Sequence, residues 1–162
     1  DHGIRPSLSV DVETQMAGDF FTQMRSVFTL QRMLALNRPA GAVGKAPALL
    51  TAREVVEFAT IEGAKDNRLD RKIGTLTPGK DADLILLRTD AINVMPVNNA
   101  FGAIVLGMDT SNVDTVLIAG TVKKRGGRLV GVDVARIARL AHQSRDAIAA
   151  KAGRPRNLFG ER

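Results

Sequence analysis

The spacing of polar and apolar residues changes along this chain, and each change marks a different kind of element. Leu8 and Val10 alternate with Ser7, Ser9 and Asp11, a period of two that predicts a short strand with its three polar side chains on one face. From Gly18 the period lengthens. Asp19 is placed to cap a helix in which Phe20, Phe21, Met24, Val27, Phe28 and Leu34 recur at three- and four-residue spacing, stopping near Asn37 before Pro39. Residues 39–47, with two glycines, two prolines and three alanines, read as a connection. Thr51-Ala52-Arg53-Glu54 then forms a capping box, in which the threonine oxygen accepts from the Glu54 amide while the glutamate reaches back. The helix it opens should run to about Lys65 with Val55, Phe58, Ala59 and Ile61 on its apolar face. Gly63 and Ala64 are small enough to let another backbone approach.

Beyond Ile73 the pattern turns β-rich. Pro78-Gly79-Lys80 supplies a turn, Leu84 to Leu87 reads as a strand buried on both faces, and Gly102 to Leu106 has the same character. Val116-Leu117-Ile118 and Thr121-Val122-Lys123 flank Ala119-Gly120 as a tight hairpin, and Gly126-Gly127 returns the chain into Arg128-Leu129-Val130. Asp133 can cap a last helix carrying Val134, Ile137, Ala138 and Ala141, which should reach Lys151 before Gly153 and Pro155 end it.

At 162 residues and 44% hydrophobic content the chain can bury a real core. No stretch approaches the ~20 apolar residues that span a bilayer, so a membrane role is not expected, and cytoplasm is the expected compartment. Without cysteine there is neither a disulfide framework nor a thiolate for catalysis or metal binding. The net charge of +6 gathers partly at Lys123, Lys124, Arg125 and Arg128 and around Lys151, Arg154, Arg156 and Arg162. Single-strand nucleic-acid binders stack bases on aromatic rings, whereas this chain has no Trp or Tyr and six Phe mostly at helix-core spacing; a solvated surface is the favoured reading.

Two runs carry a family resemblance. Ile73-Gly-Thr-Leu-Thr-Pro-Gly-Lys-Asp-Ala-Asp-Leu-Ile-Leu-Leu87 resembles the C-terminal strand module of the amidohydrolases, and Ser7-Leu8-Ser9-Val10-Asp11 resembles their last barrel strand. Between them lie a loop and helix and then Ala59-Thr60-Ile61-Glu62-Gly63-Ala64, in the order the superfamily has them. The resemblance is to its cytosine deaminase and chlorohydrolase-like branch, and covers most of the chain. It implies an α+β fragment: the last strand and helices of a (β/α) barrel over residues 1–72, most of a small composite β-sandwich over 73–131, and a C-terminal helix and basic tail over 132–162.

Taken alone, Asp11 before a polar turn reads as a cap or turn residue. The resemblance implies instead that Asp11 faces a catalytic divalent metal, zinc or iron, as both ligand and proton carrier in attack on a C–N or C–halogen bond of a small heterocycle. Glu13, two residues on, is a candidate substrate contact. The family's His-x-His is absent, and the only histidines are His2, expected at the far end of the strand from Asp11, and His142, expected on the surface. A catalytic zinc site needs about three protein ligands. Together with a start at Asp1-His2-Gly3 lacking methionine, this predicts a piece of a longer or processed hydrolase that binds no metal and is inactive by itself.

Three other motifs read as structural. Gly74-x4-Gly79-Lys80 has phosphate-loop spacing, but Asp81 replaces the magnesium-binding hydroxyl and Pro78 removes an amide. Asp81 and Asp83 read as turn and sandwich-edge residues rather than a metal pair, and Arg25 as a packing arginine. Open strand edges should promote a homo-oligomer. The competing classes are a basic module that binds nucleic acid or an acidic partner, and a non-catalytic assembly subunit.

Overall fold

The computed structural model describes residues 4–13, 17–39, 41, 43–44 and 47–154. The chain divides into two compact units, residues 1–128 and 129–162.

The first unit begins with a segment, residues 4–11, that joins no strand ladder. The strand expected at Leu8 and Val10 is therefore not formed: alternation sets which side chains share a face, but a strand also needs a neighbour for its amides and carbonyls, and no described element pairs with this segment. Helix α1 (Phe20–Leu36) follows, with Asp19 accepting from the Thr22 amide at 2.7 Å and Asn37 ending it. Phe21 and Met24 are buried as the spacing predicts, while Phe20 is 43% and Leu34 69% exposed because the core covers only one side of the helix.

Helix α2 (Ala52–Glu57) starts at the predicted capping box. The Glu54 amide donates to Thr51 Oγ1 at 3.2 Å and the Thr51 amide donates to the Glu54 carboxylate at 2.8 Å. The helix widens into a π-helical turn, Phe58–Glu62, and resumes as α3 (Gly63–Asp66). The small residues there do admit a second backbone. Gly74, at φ 89°, lies so close that a Cβ on it would stand 2.7 Å from the Ala64 Cβ and 3.2 Å from the Ile61 Cα.

The four-stranded sheet has the order β1-β2-β3-β4, with β1 antiparallel to β2 and β2 antiparallel to β3. Strand β1 (Leu84–Leu87) pairs with β2 (Val113–Ile118) in the register Leu84 to Leu117, Ile85 to Val116 and Leu86 to Thr115, with a bulge before Leu87. The predicted hairpin joins β2 to β3 (Thr121–Arg125) through Ala119 and Gly120 at φ 47° and 75°, the two positive-φ positions of a turn whose twist matches its strands. The two-residue β4 (Arg128–Leu129) falls where the first unit gives way to the second.

Two strand expectations are corrected. β1 is not buried on both faces: Ile85 and Leu86, which point to opposite faces, are 49% and 53% exposed, because β1 is an edge strand and no described element covers its middle. Gly102 to Leu106 is not a strand but a helical turn, α4 (Ala100–Gly102), continuing into a second π-helical turn, Ala103–Gly107. Asn99 decides this locally by accepting the Gly102 amide at 2.8 Å, and a short apolar run cannot by itself distinguish a buried helix from a strand.

The helical core joins Phe21 and Met24 of α1, Val55 of α2, and Val94, Val105 and Met108. Val55 and Val105 are fully buried, each worth about 1.5–3 kcal/mol by removal from water. The second unit holds α5 (Val134–Lys151), with Asp133 accepting the Arg136 amide at 2.9 Å; no residue of this helix is buried.

Candidate active site

Asp11 stands exposed at the end of the 4–11 segment, at φ 56°. That left-handed conformation is uncommon outside glycine, and aspartate is among the few residues that adopt it readily. Its amide donates to Ser9 Oγ at 3.1 Å, which steadies the bend, while no described residue donates a hydrogen bond to its carboxylate. Glu13 is also exposed, and its carboxylate fills the space where a Cβ on Gly18 would lie. A side chain at Gly18 would displace it.

The segment leading to Asp11 is fastened by charge. Arg5 Nε donates to Glu62 Oε1 at 2.9 Å, Arg5 Nη2 donates to Glu57 Oε2 at 2.6 Å, and the guanidinium lies 5.3 Å from the centre of the Phe58 ring. Lys65 Nζ reaches both oxygens of Glu62 at 3.2 Å. Glu62 is only 7% exposed. The hydrogen bond from Arg5 holds its carboxyl below the usual range against the opposing effect of burial, and Lys65 adds to the lowering.

Sequence reasoning missed this cluster for a geometric reason. Glu57 and Glu62 are five residues apart, which at 3.6 residues per turn would set them about 140° apart round an α-helix. The π-helical turn between them closes i to i+5 bonds and brings both carboxylates to one arginine. A Glu-x4-Glu spacing beside an expected family motif is the signal that could have found it.

The residues read as structural are so placed. Lys80 Nζ donates to the carbonyls of Asp70 and Ile73, that of Ile73 at 3.1 Å, so it ties a turn together rather than facing a phosphate. Asp83 Oδ1 accepts the Ala119 amide at 2.6 Å and the Asp81 amide donates to the Lys72 carbonyl at 2.8 Å. Arg25 donates to the carbonyls of Leu106 and Met108 at 3.2 and 2.7 Å, joining α1 to the second π-helical turn. His142 is exposed, and His2 lies outside the described residues.

Could these residues hold a metal? Among the described residues no group of three His, Asp or Glu side chains converges, and Asp11 offers a single carboxylate. The described residues do not by themselves fit a catalytic metal. A groove of about 840 Å³ passes Leu8, Phe58, Gly63, Leu76, Ile85 and Ile118, but its lining is mostly apolar. No described helix is long and apolar enough to cross a membrane.

Residues 1–123 match the model of the amidohydrolase family. The chain belongs to that family. A 5-methylthioadenosine/S-adenosylhomocysteine deaminase of Desulforudis audaxviator is 37% identical over 98 residues, 60% of this chain and 23% of that protein. A 5'-deoxyadenosine deaminase of Methanobrevibacter smithii is 30% identical over 127 residues, 78% of this chain and 27% of that protein. Among solved structures, a zinc-bound adenosine deaminase from Xanthomonas campestris superposes with a TM-score of 0.71 at 27% identity, over 80% of this chain and 28% of that one. This amidohydrolase chain thus spans about a quarter of the length of the relatives it matches.

Proposed function

We propose that this chain is the C-terminal part of a metal-dependent amidohydrolase that hydrolyses a C–N bond of a small heterocyclic substrate, with the 6-amino group of an adenine nucleoside as the best-supported target. The named activities of its relatives support that substrate class over the C–halogen bonds the sequence left open. The observation that carries the reading within the chain is Asp11: an exposed carboxylate without a described partner, on left-handed backbone, at the end of the segment where the family presents its metal-facing aspartate. Asp11 is the proposed catalytic and metal-facing residue and Glu13 the proposed substrate contact. The other ligands of the divalent metal would come from sequence outside this chain.

In this reading residues 1–72 are the barrel's C-terminal portion, 73–131 most of a composite sandwich, and 132–162 a terminal helix and tail. Apolar side chains left exposed on β1 and near the hairpin, Ile85, Leu86 and Ile118, support self-association of the chain on its own. Light scattering tests that part, with a monodisperse monomer as the contrary result. The catalytic part is tested in the full-length protein by following ammonia release from 5'-deoxyadenosine. Asp11→Asn should lower kcat by about 10²–10⁴-fold, the range of a lost acid–base group. Wild-type-like turnover in that variant would remove Asp11 from the reaction.

A further inference from the structure

We infer that Arg5 is a positioning residue for Asp11: by gripping Glu57 and Glu62 across the π-helical turn, it holds the otherwise unladdered 4–11 segment at a fixed place. The inference rests on the assignment of Asp11 above.

Three observations carry it. First, the hydrogen bonds that join residues 4–13 to α2 and the turn after it are those of the Arg5 fork, at 2.9 and 2.6 Å, across 57 and 52 residues of sequence. Ser7, Leu8 and Val10 are half-buried and Leu8 packs against the core, but such contacts lack the fixed direction that a forked pair of charged hydrogen bonds supplies. Second, the grip is built to be rigid. Glu62 is also bonded through both oxygens by Lys65, which restrains its carboxylate independently of Arg5, and Phe58, 4% exposed, lies beneath the guanidinium. A forked guanidinium fixes orientation as well as distance, which a single ammonium contact does not. Third, the π-helical turn is the feature that makes the fork possible, and such turns carry irregular bonding that a plain α-helix would avoid. Since Asp11 makes no described contact through its own carboxylate, its place is set by what holds the chain on either side of it, and on the N-terminal side that is the Arg5 fork.

These 162 residues contain no cysteine, so a nitroxide attached at Val12→Cys is the one label on this chain and sits beside Asp11 without replacing it. Its spectral line shape reports the local motion of the segment. A second preparation, labelled at exposed Arg53→Cys on α2, serves as control. With Arg5 present the Val12→Cys label should show an immobilised component. Arg5→Met should abolish that component while leaving the control spectrum and the helical circular dichroism unchanged, and Arg5→Lys should restore it only in part. Glu57→Gln, at a half-buried carboxylate, provides a milder variant with the same expected direction.

An immobile label in Arg5→Met, or a label already mobile in the parent, would overturn the inference. Loss of order at both labels would also overturn it, because Arg5 would then be a general fold determinant. In the full-length protein, Arg5→Met should lower kcat with KM unchanged, and a change in KM alone would count against positioning. The spin-label result does not depend on Asp11 chemistry. If Asp11→Asn were active while the label still responded to Arg5, the functional reading would fail and the anchor would stand.

Discussion

Asp11 follows Val10, Asp83 follows Ala82, and each stands at the surface, yet the molecule uses them in opposite ways. Around Asp83 the bonding is internal to the fold: its Oδ1 takes the Ala119 amide, the neighbouring Ala82 carbonyl takes the Gly120 amide at 3.1 Å, and Lys80 secures the carbonyls of the preceding turn. Around Asp11 the backbone is bent to φ 56° and the carboxylate is left open to solvent. Hydrogen-bonding capacity spent within the fold builds architecture, whereas capacity held outward on constrained backbone is available for chemistry. The turn region uses the polar groups of Lys80, Asp81 and Asp83 within the fold, whereas the Asp11 segment leaves a carboxylate that no described residue uses.

The largest effect expected is the separation of activity from stability at Asp11. Asp11→Asn removes the charge but keeps a side chain that tolerates left-handed backbone, so thermal unfolding should stay within about 0.5 kcal/mol of the parent. The full-length protein should meanwhile lose about 10²–10⁴-fold in turnover. An equally mild substitution at Asp83, Asp83→Asn, has the opposite logic: it weakens acceptance of the Ala119 amide and leaves turnover alone. Matching losses of activity in both variants would erase the distinction between the two regions.

Next is the close approach that joins the turn region to α3. Gly74→Ala places a Cβ 2.7 Å from that of Ala64 on backbone at φ 89°, so conformational strain and overpacking act together. Destabilisation of about 2–4 kcal/mol is expected in denaturant unfolding. Gly79 is a control with φ 91° and nothing within 4 Å of its Cβ position, so Gly79→Ala should show only the backbone part, about 1–2 kcal/mol. Equal losses would mean that the approach to Ala64 is not tight in solution.

Local rules made much of this fold legible. Asp19, Thr51 and Asp133 cap the helices they were expected to cap, because capping is settled within four residues of chain. The Ala119–Gly120 hairpin was equally local. Failures came where the decisive partner lay far off or was absent from the described chain: Leu8 and Val10 found no strand to pair with, and β1 found no cover for Ile85 and Leu86. Ile104 and Val105 went into a π-helical turn rather than a strand because Asn99 offered a cap that apolar periodicity does not register. For the candidate site, the order of motifs pointed to Asp11, but the Arg5 grip was invisible to any count based on 3.6 residues per turn.

The smallest expected effect concerns the capping box, and it sharpens the same comparison because here a carboxylate is spent on structure. The Glu54 carboxyl is held below its usual range first by the backbone amide of Thr51 and then by the Thr51 hydroxyl. A carboxyl lowered on folding contributes stability above its unfolded value, about 4.3 for glutamate, and that contribution is lost as pH falls through the lower folded value. Thr51→Ala removes the hydroxyl that caps the Glu54 amide and bonds its carboxylate, and should cost about 1 kcal/mol at pH 7. The gap between parent and variant should narrow as the solution is acidified below the ordinary glutamate range, since the parent then loses the charge that the hydroxyl was supporting. Thermal melts of the two proteins from pH 7 downward measure this directly. A gap that stays constant would assign the whole cost to the Glu54 amide and none to the charge, while no gap at pH 7 would show that the helix start is held by packing of Val55 instead.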